Sequence, residues 1–175
     1  MPSTETSAQP PLRAVEQLLA AYRRVDQEMR ALPVYNAALR VAAVDFRLHR
    51  GGFVGVVVTP WFMNLIRLPA PGDEVAAGVR RNAALPEGHV ELIGARLEGA
   101  PPFEFRPIAS PMDDFPSQAQ ALLTAGEVVE ALFTPRAPTP QPALLAEEER
   151  AALAAAPERL ARVTGRRGLF NWLRR

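Results

Sequence analysis

The sequence predicts an α+β fold, a mainly antiparallel sheet with helices packed on one face, and two observations predict it. Apolar residues recur at three- and four-residue steps near residues 12–30 and again near 116–134, the period of a helix with one buried stripe. Between those helices lie short segments of alternating or continuous apolar character, separated by Gly- and Pro-containing turns, the pattern of strands joined in sequence.

The first helix rests on Val15, Leu18, Leu19, Tyr22, Val25 and Met29, and Pro33 closes it. Val44, Phe46 and Leu48 alternate with Asp45 and Arg47, a half-buried strand. Arg50-Gly51-Gly52 supplies turn chemistry before an apolar strand at 53–58, so the pair reads as a β-hairpin. Thr59-Pro60 interrupts the apolar run 54–69, because Pro donates no ladder hydrogen bond and biases Thr59 toward extended backbone. A third strand follows over 62–68. Residues 76–85 read equally as a short strand or an irregular connection, whereas Val90, Leu92 and Ile93 place a strand within 87–97. Phe103 and Phe105 alternate with Glu104 and Arg106 between Pro102 and Pro107, and the flanking prolines predict an edge strand. Pro116 reads as the first residue of the second helix, with Asp114 near the positive end of its dipole and Leu122, Leu123, Val129, Leu132 and Phe133 as its buried stripe.

The predicted domain therefore spans 12–134, after a disordered N-terminus over 1–11. Residues 135–142, Pro-Arg-Ala-Pro-Thr-Pro-Gln-Pro, form a flexible polyproline-like linker. Residues 143–162, rich in Ala, Leu, Glu and Arg, predict an extra helix that Pro157 caps or interrupts. The tail 163–175 is basic and aromatic: from Arg159 onward the chain carries six Arg and no acid.

Composition excludes several function classes. The chain has no Cys, which removes disulfides, thiolate catalysis and Cys-ligated metal centres. Its two histidines, His49 and His89, have no second ligand at metal-binding spacing, so neither a metal nor an organic cofactor is expected. The first residues have neither a basic nor an apolar signal region, and no apolar run reaches the roughly 20 residues of a membrane span. The expected location is the cytoplasm, without stable membrane insertion. Phosphate-loop, dinucleotide, nucleophile-elbow and zinc-protease motifs are all missing, and no RNP-type motif or basic stripe on the predicted core points to nucleic acid. Asp113-Asp114 with Glu87 and Glu91 reads as turn and helix-dipole chemistry. Arg80-Arg81 reads as a solvated pair or as an anion contact.

Two segments remain as candidate binding elements. Trp61, Phe62, Met63 and Asn64 follow the Pro60 break, and a strand there would send Phe62 to one face and its two apolar neighbours to the other, leaving one face uncovered. Aromatic and Met side chains are enriched at recognition cores, although a buried strand is the simpler account of any apolar run. In the tail, Arg166, Arg167 and Phe170 combine paired guanidinium groups with an apolar anchor. That combination suits an acidic protein surface or an anionic membrane, and equally a disordered basic end.

The runs Asp45-Phe46-Arg47 and Gly-Gly-Phe-Val-Gly-Val-Val-Val-Thr-Pro-Trp-Phe-Met-Asn-Leu-Ile-Arg-Leu-Pro, with Ala-Ser-Pro-Met at 109–112 and Gly-Arg-Arg-Gly-Leu-Phe at 165–170, resemble the HybE/HupJ family of [NiFe]-hydrogenase assembly chaperones. Thr-Pro-Trp-Phe-Met-Asn is the specific part; the resemblance runs from about residue 12 to 170, and 147–162 looks peculiar to this chain. It implies a cytoplasmic, non-enzymatic maturation factor. Its implied partners are the small or large subunit precursors of a [NiFe]-hydrogenase before twin-arginine export, with other maturation proteins such as a rubredoxin-like one. Residues 61–64, with Arg166, Arg167 and Phe170, are then the partner contacts. The rival reading is a small hydrolase or isomerase using His89 with Glu87 or Asp113, which requires a closed pocket holding those groups within roughly 2.6–3.2 Å.

Overall fold

The computed structural model describes residues 10–135, with side chains from Arg13 onward. Helix α1 (Pro10–Met29) precedes six strands: β1 (Ala42–His49), β2 (Gly52–Val58), β3 (Met63–Leu68), β4 (Arg80–Leu85), β5 (Gly88–Ala95) and β6 (Phe103–Ala109). Helix α2 (Gln118–Phe133) closes the described region. Every strand pair is antiparallel, in the order β1-β2-β3-β6-β5-β4, so two three-stranded meanders dock through β3 and β6. The α+β class is as predicted, and β4 resolves the open segment as a strand.

Tight turns set the register. His49 pairs with Gly52 across Arg50 and Gly51, whose φ values of 50° and 77° are the left-handed pair that a two-residue hairpin needs. The sheet also curls until its outer strands approach each other: the His49 Nε2–H of β1 donates to Ala84 O of β4 at 2.8 Å.

The helices lie on opposite faces, a correction to the prediction of one covered face. Val54, Val56, Val57 and Val58 of β2 are all essentially inaccessible, and consecutive strand residues are buried only when both faces are covered. On one face Val57, Ile66, Leu68 and Phe103 pack with Val15, Leu18 and Tyr22 of α1. On the other, Arg47 shares a face with its partner Val54, and it bonds Glu130 of α2 at 2.6 Å and lies 5.2 Å from the Phe133 ring centre.

Further expectations are corrected. Strand β6 is central, between β3 and β5, not an edge. Its ladder skips a residue where Met63 pairs with Ala109 but Asn64 pairs with Pro107, and this bulge accommodates a proline that a regular central strand would exclude. Helix α2 begins after Ser117, whose Oγ accepts the Gln120 N–H at 3.3 Å, so Pro116 precedes the cap instead of opening the helix. Its buried face is Ala121, Ala125, Val128, Val129 and Leu132, and Leu123, expected in that stripe, is exposed. Helix α1 begins at Pro10, earlier than the predicted residue 12, since proline fits the first turn, where an N–H has no intrahelical acceptor.

Candidate functional site

Thr59, Pro60, Trp61 and Phe62 form the turn between β2 and β3. The Thr59 N–H donates to Phe62 O at 2.8 Å, and Thr59 Oγ1 accepts from the N–H groups of Phe62 (3.0 Å) and Trp61 (3.3 Å). The buried threonine hydroxyl thus meets backbone donors that Pro60 keeps out of the ladder. Because Trp61 and Phe62 sit in a turn, strict alternation does not apply to them. Both join the α1 side of the sheet, and only Met63, the first strand residue, points to the α2 side.

The four predicted contact residues therefore separate. Trp61 is 7% exposed and stacks on Tyr35 with ring centres 6.4 Å apart, Met63 is wholly buried, and Asn64 is 6% exposed. Phe62 is half-buried, edge-on to Tyr22 at 5.4 Å and to Trp61 at 5.6 Å. The expected uncovered face is narrowed to what surrounds Phe62. Here Tyr22, Phe62, Asn64, Leu97, Phe103 and Phe105 line an open groove of about 360 Å³ beside α1, floored by β3, β5 and β6. Tyr22 continues the aromatic row to Phe103 at 6.2 Å, and Phe103 to Phe105 at 6.5 Å. Burial pushes the Tyr22 hydroxyl well above its ordinary range, so it stays a neutral wall of the groove.

Sequence reasoning missed what holds this turn in place. The Asn36 N–H donates to Pro60 O at 2.8 Å, and its Nδ2 donates to Met112 O (3.0 Å) and Phe115 O (2.9 Å). Ser110, which precedes a cis peptide to Pro111, donates from Oγ to Trp61 O at 3.3 Å. The Ser-Pro-Met segment thereby supports the Trp61 turn from behind. No local pattern around Asn36 announces contacts with residues 76 and 79 positions away.

The residues of the catalytic alternative do not form a site. His89 and Asp113 are exposed, and among the described residues no hydrogen bond or ion pair joins His89 to Glu87 or Asp113. The Glu87 N–H instead fastens the β4–β5 turn to Leu132 O of α2 at 3.1 Å. Among the described residues, no group of three or more His, Cys, Asp or Glu is placed to hold a metal ion, and no helix is long and apolar enough to cross a membrane. The linker beyond Pro135, the segment 143–162 and the tail with Arg166, Arg167 and Phe170 lie outside the described residues.

The fold is similar to the solution structure of HybE from Escherichia coli, with a TM-score of 0.58 over 87% of this chain and 91% of that one at 18% identity. In sequence the chain is 40% identical over 132 residues to the hydrogenase expression/formation protein HupT of Azotobacter chroococcum mcd 1, covering 74% of this chain and 88% of HupT. It is 39% identical over 123 residues to the probable rubredoxin HupJ of Rhodobacter capsulatus, which covers 68% of this chain but only 44% of that longer protein. The family model described as [NiFe]-hydrogenase assembly chaperone, HybE, matches residues 13–172. With a match over nearly its whole length, the chain belongs to the HybE family of [NiFe]-hydrogenase assembly chaperones.

Proposed function

We propose that this protein binds [NiFe]-hydrogenase subunit precursors in the cytoplasm, before twin-arginine export, and that the aromatic groove beside α1 is its main contact surface. The observation that carries the reading is Phe62: a large apolar side chain left partly uncovered in the lining of an open groove, while Trp61 and Met63 beside it are buried. A row of aromatic rings with a polar Asn64 at its edge suits an extended or helical apolar segment of an unfinished partner, because aromatics supply contact area at little entropic cost. Such a surface holds a chain without reacting with it, so the proposed role is non-enzymatic. Phe170, Arg166 and Arg167 form a second contact in this scheme, their guanidinium groups pairing with acidic side chains and raising the effective concentration of the partner at the groove.

The test is copurification of the tagged full-length chain from cells that express a [NiFe]-hydrogenase. Recovery of a small- or large-subunit precursor, reduced by Phe62→Ala with Phe105→Ala, supports the assignment. Recovery that is unchanged in the double variant removes the groove from the account, and recovery of no hydrogenase subunit removes the function. Whether a rubredoxin-like protein accompanies the precursor is read from the same eluate.

A further inference from the structure

On the other face of the sheet, away from the aromatic groove, Glu104 is a buried carboxylate with one oxygen unmet. Its side chain is 2% exposed; Oε2 accepts from Arg67 Nη1, but Oε1 has no hydrogen-bond partner. Leaving a buried acceptor unsatisfied costs roughly 1–3 kcal/mol, more for a charged one, so a donor is missing. Arg81 does not fill the role: its Nη1 stands 3.7 Å from Oε1 and donates instead to Glu74 O at 3.0 Å.

Glu104 lines a pocket of about 160 Å³ together with His49, Arg50, Arg67, Arg81 and Asn82. His49 is already committed, its Nε2–H held by Ala84 O. Three guanidinium groups face one carboxylate in this pocket, and Asp73, 3.3 Å from Arg67 Nη2, offsets only part of the excess. The pocket therefore attracts an anion. A bare anion, however, would lie beside Oε1 and leave it unmet. The group that satisfies both requirements carries an oxyanion and a hydrogen-bond donor a few bonds apart. At about 30 Å³ per liquid water the space admits several waters, or the head group of a single residue.

We propose that this pocket binds a carboxylate bearing an N–H on the adjacent carbon, the chemistry of a polypeptide's C-terminal residue or of a free amino acid. The N–H donates to Glu104 Oε1, and the carboxylate lies against Arg81 and Arg50, whose side chains are exposed enough to close on it. Arg67 holds Glu104 in place from Oε2. The site is separate from the groove and stands whether or not the groove binds a hydrogenase precursor.

The test is a titration of the full-length protein by ¹⁵N–¹H correlation spectroscopy with three probes: N-acetylglycine, which mimics a chain end, glycine, and acetate, which lacks the N–H. N-acetylglycine or glycine should saturably shift the amides of Arg81, Ala83 and Ala84, at least about tenfold more tightly than acetate. Arg81→Ala and Arg50→Ala, both at exposed positions, should each weaken that binding. The tighter of the two N–H-bearing probes identifies the source, a chain terminus for N-acetylglycine and a free amino acid for glycine. The proposal is overturned if acetate binds as tightly as the tighter of those two, if no probe saturates below about 100 mM, or if Arg81→Ala binds as the wild type does.

Discussion

Replacing Phe62 by Ala separates a recognition surface from a packed core. Phe62 keeps only a minor part of its surface exposed, so the transfer free energy lost is most of the 1.5–3 kcal/mol of a fully buried side chain, roughly 1–2 kcal/mol. Its edge-on contacts to Tyr22 and Trp61 add about 0.5–1.5 kcal/mol each. The expected destabilisation is then about 2–5 kcal/mol, which a domain stable by roughly 10 kcal/mol survives with nearly all molecules folded. If Phe62 anchors the partner, binding should fall by about 2 kcal/mol or more, about thirtyfold in Kd, and unfolding cannot account for that loss. Trp61→Ala reverses the balance: with 7% exposure it should cost about 3–5 kcal/mol of stability. The assay pairs urea denaturation of each variant with calorimetric titration of a purified hydrogenase precursor below the variant's unfolding transition. A Phe62→Ala protein that loses stability yet binds with wild-type affinity refutes the reasoning, because the groove would then be core with a gap in its cover.

Three other outcomes follow from the same structure. Arg67→Ala leaves the Glu104 carboxylate buried without its ion-pair partner and should cost about 3–5 kcal/mol in urea denaturation, whereas Arg67→Met with Glu104→Leu should recover most of it; a single-variant cost under about 1 kcal/mol would show that the pair does not hold β3 to β6. Tyr22 has a raised folded-state pKa while the unfolded chain ionises near the usual value of about 10, so the folded state retains more protons and stability falls as pH rises above about 10; Tyr22→Phe should flatten that decline, and an unchanged slope would contradict the burial argument. Deleting residues 163–175 should leave the melting temperature nearly unchanged and weaken precursor binding, with Arg166→Glu and Arg167→Glu more harmful than the matching Ala changes because reversal adds repulsion; a truncation that unfolds the domain would make the tail structural.

Most of the strands and both helices were legible because each carries its own period. The pairing of His49 with Gly52 follows from Arg50-Gly51, and the break at Pro60 follows from the missing N–H. What was not legible depends on neighbours distant in sequence. An uninterrupted run such as Val54 to Val58 shows that a strand is buried but not how many helices bury it, so it does not tell that α2 covers the second face. Pro107 reads as an edge signal because the bulge that admits it involves the register of β3, some forty positions earlier. At the site, Trp61 and Phe62 could be selected as a pair, but which of them is covered depends on Tyr35 stacking on Trp61 and on Asn36 fixing the turn. In the sequence Glu104 reads as an ordinary charge on an alternating strand, and Arg81 as half of a solvated or anion-contacting pair in a segment of open assignment. Only the curl of the sheet brings Arg81, Arg50 and His49 around the buried carboxylate.

If a hydrogenase precursor lies in the aromatic groove, site-specific photo-crosslinking will capture it there. A benzophenone amino acid is placed at Phe105 in the groove and, in a second protein, at Leu123, which is 57% exposed on α2 across the sheet. Irradiation in hydrogenase-expressing cells should link the Phe105 position to a hydrogenase subunit precursor and leave the Leu123 position unlinked to it. Crosslinks to the precursor from Leu123 with none from Phe105 would contradict binding in the groove.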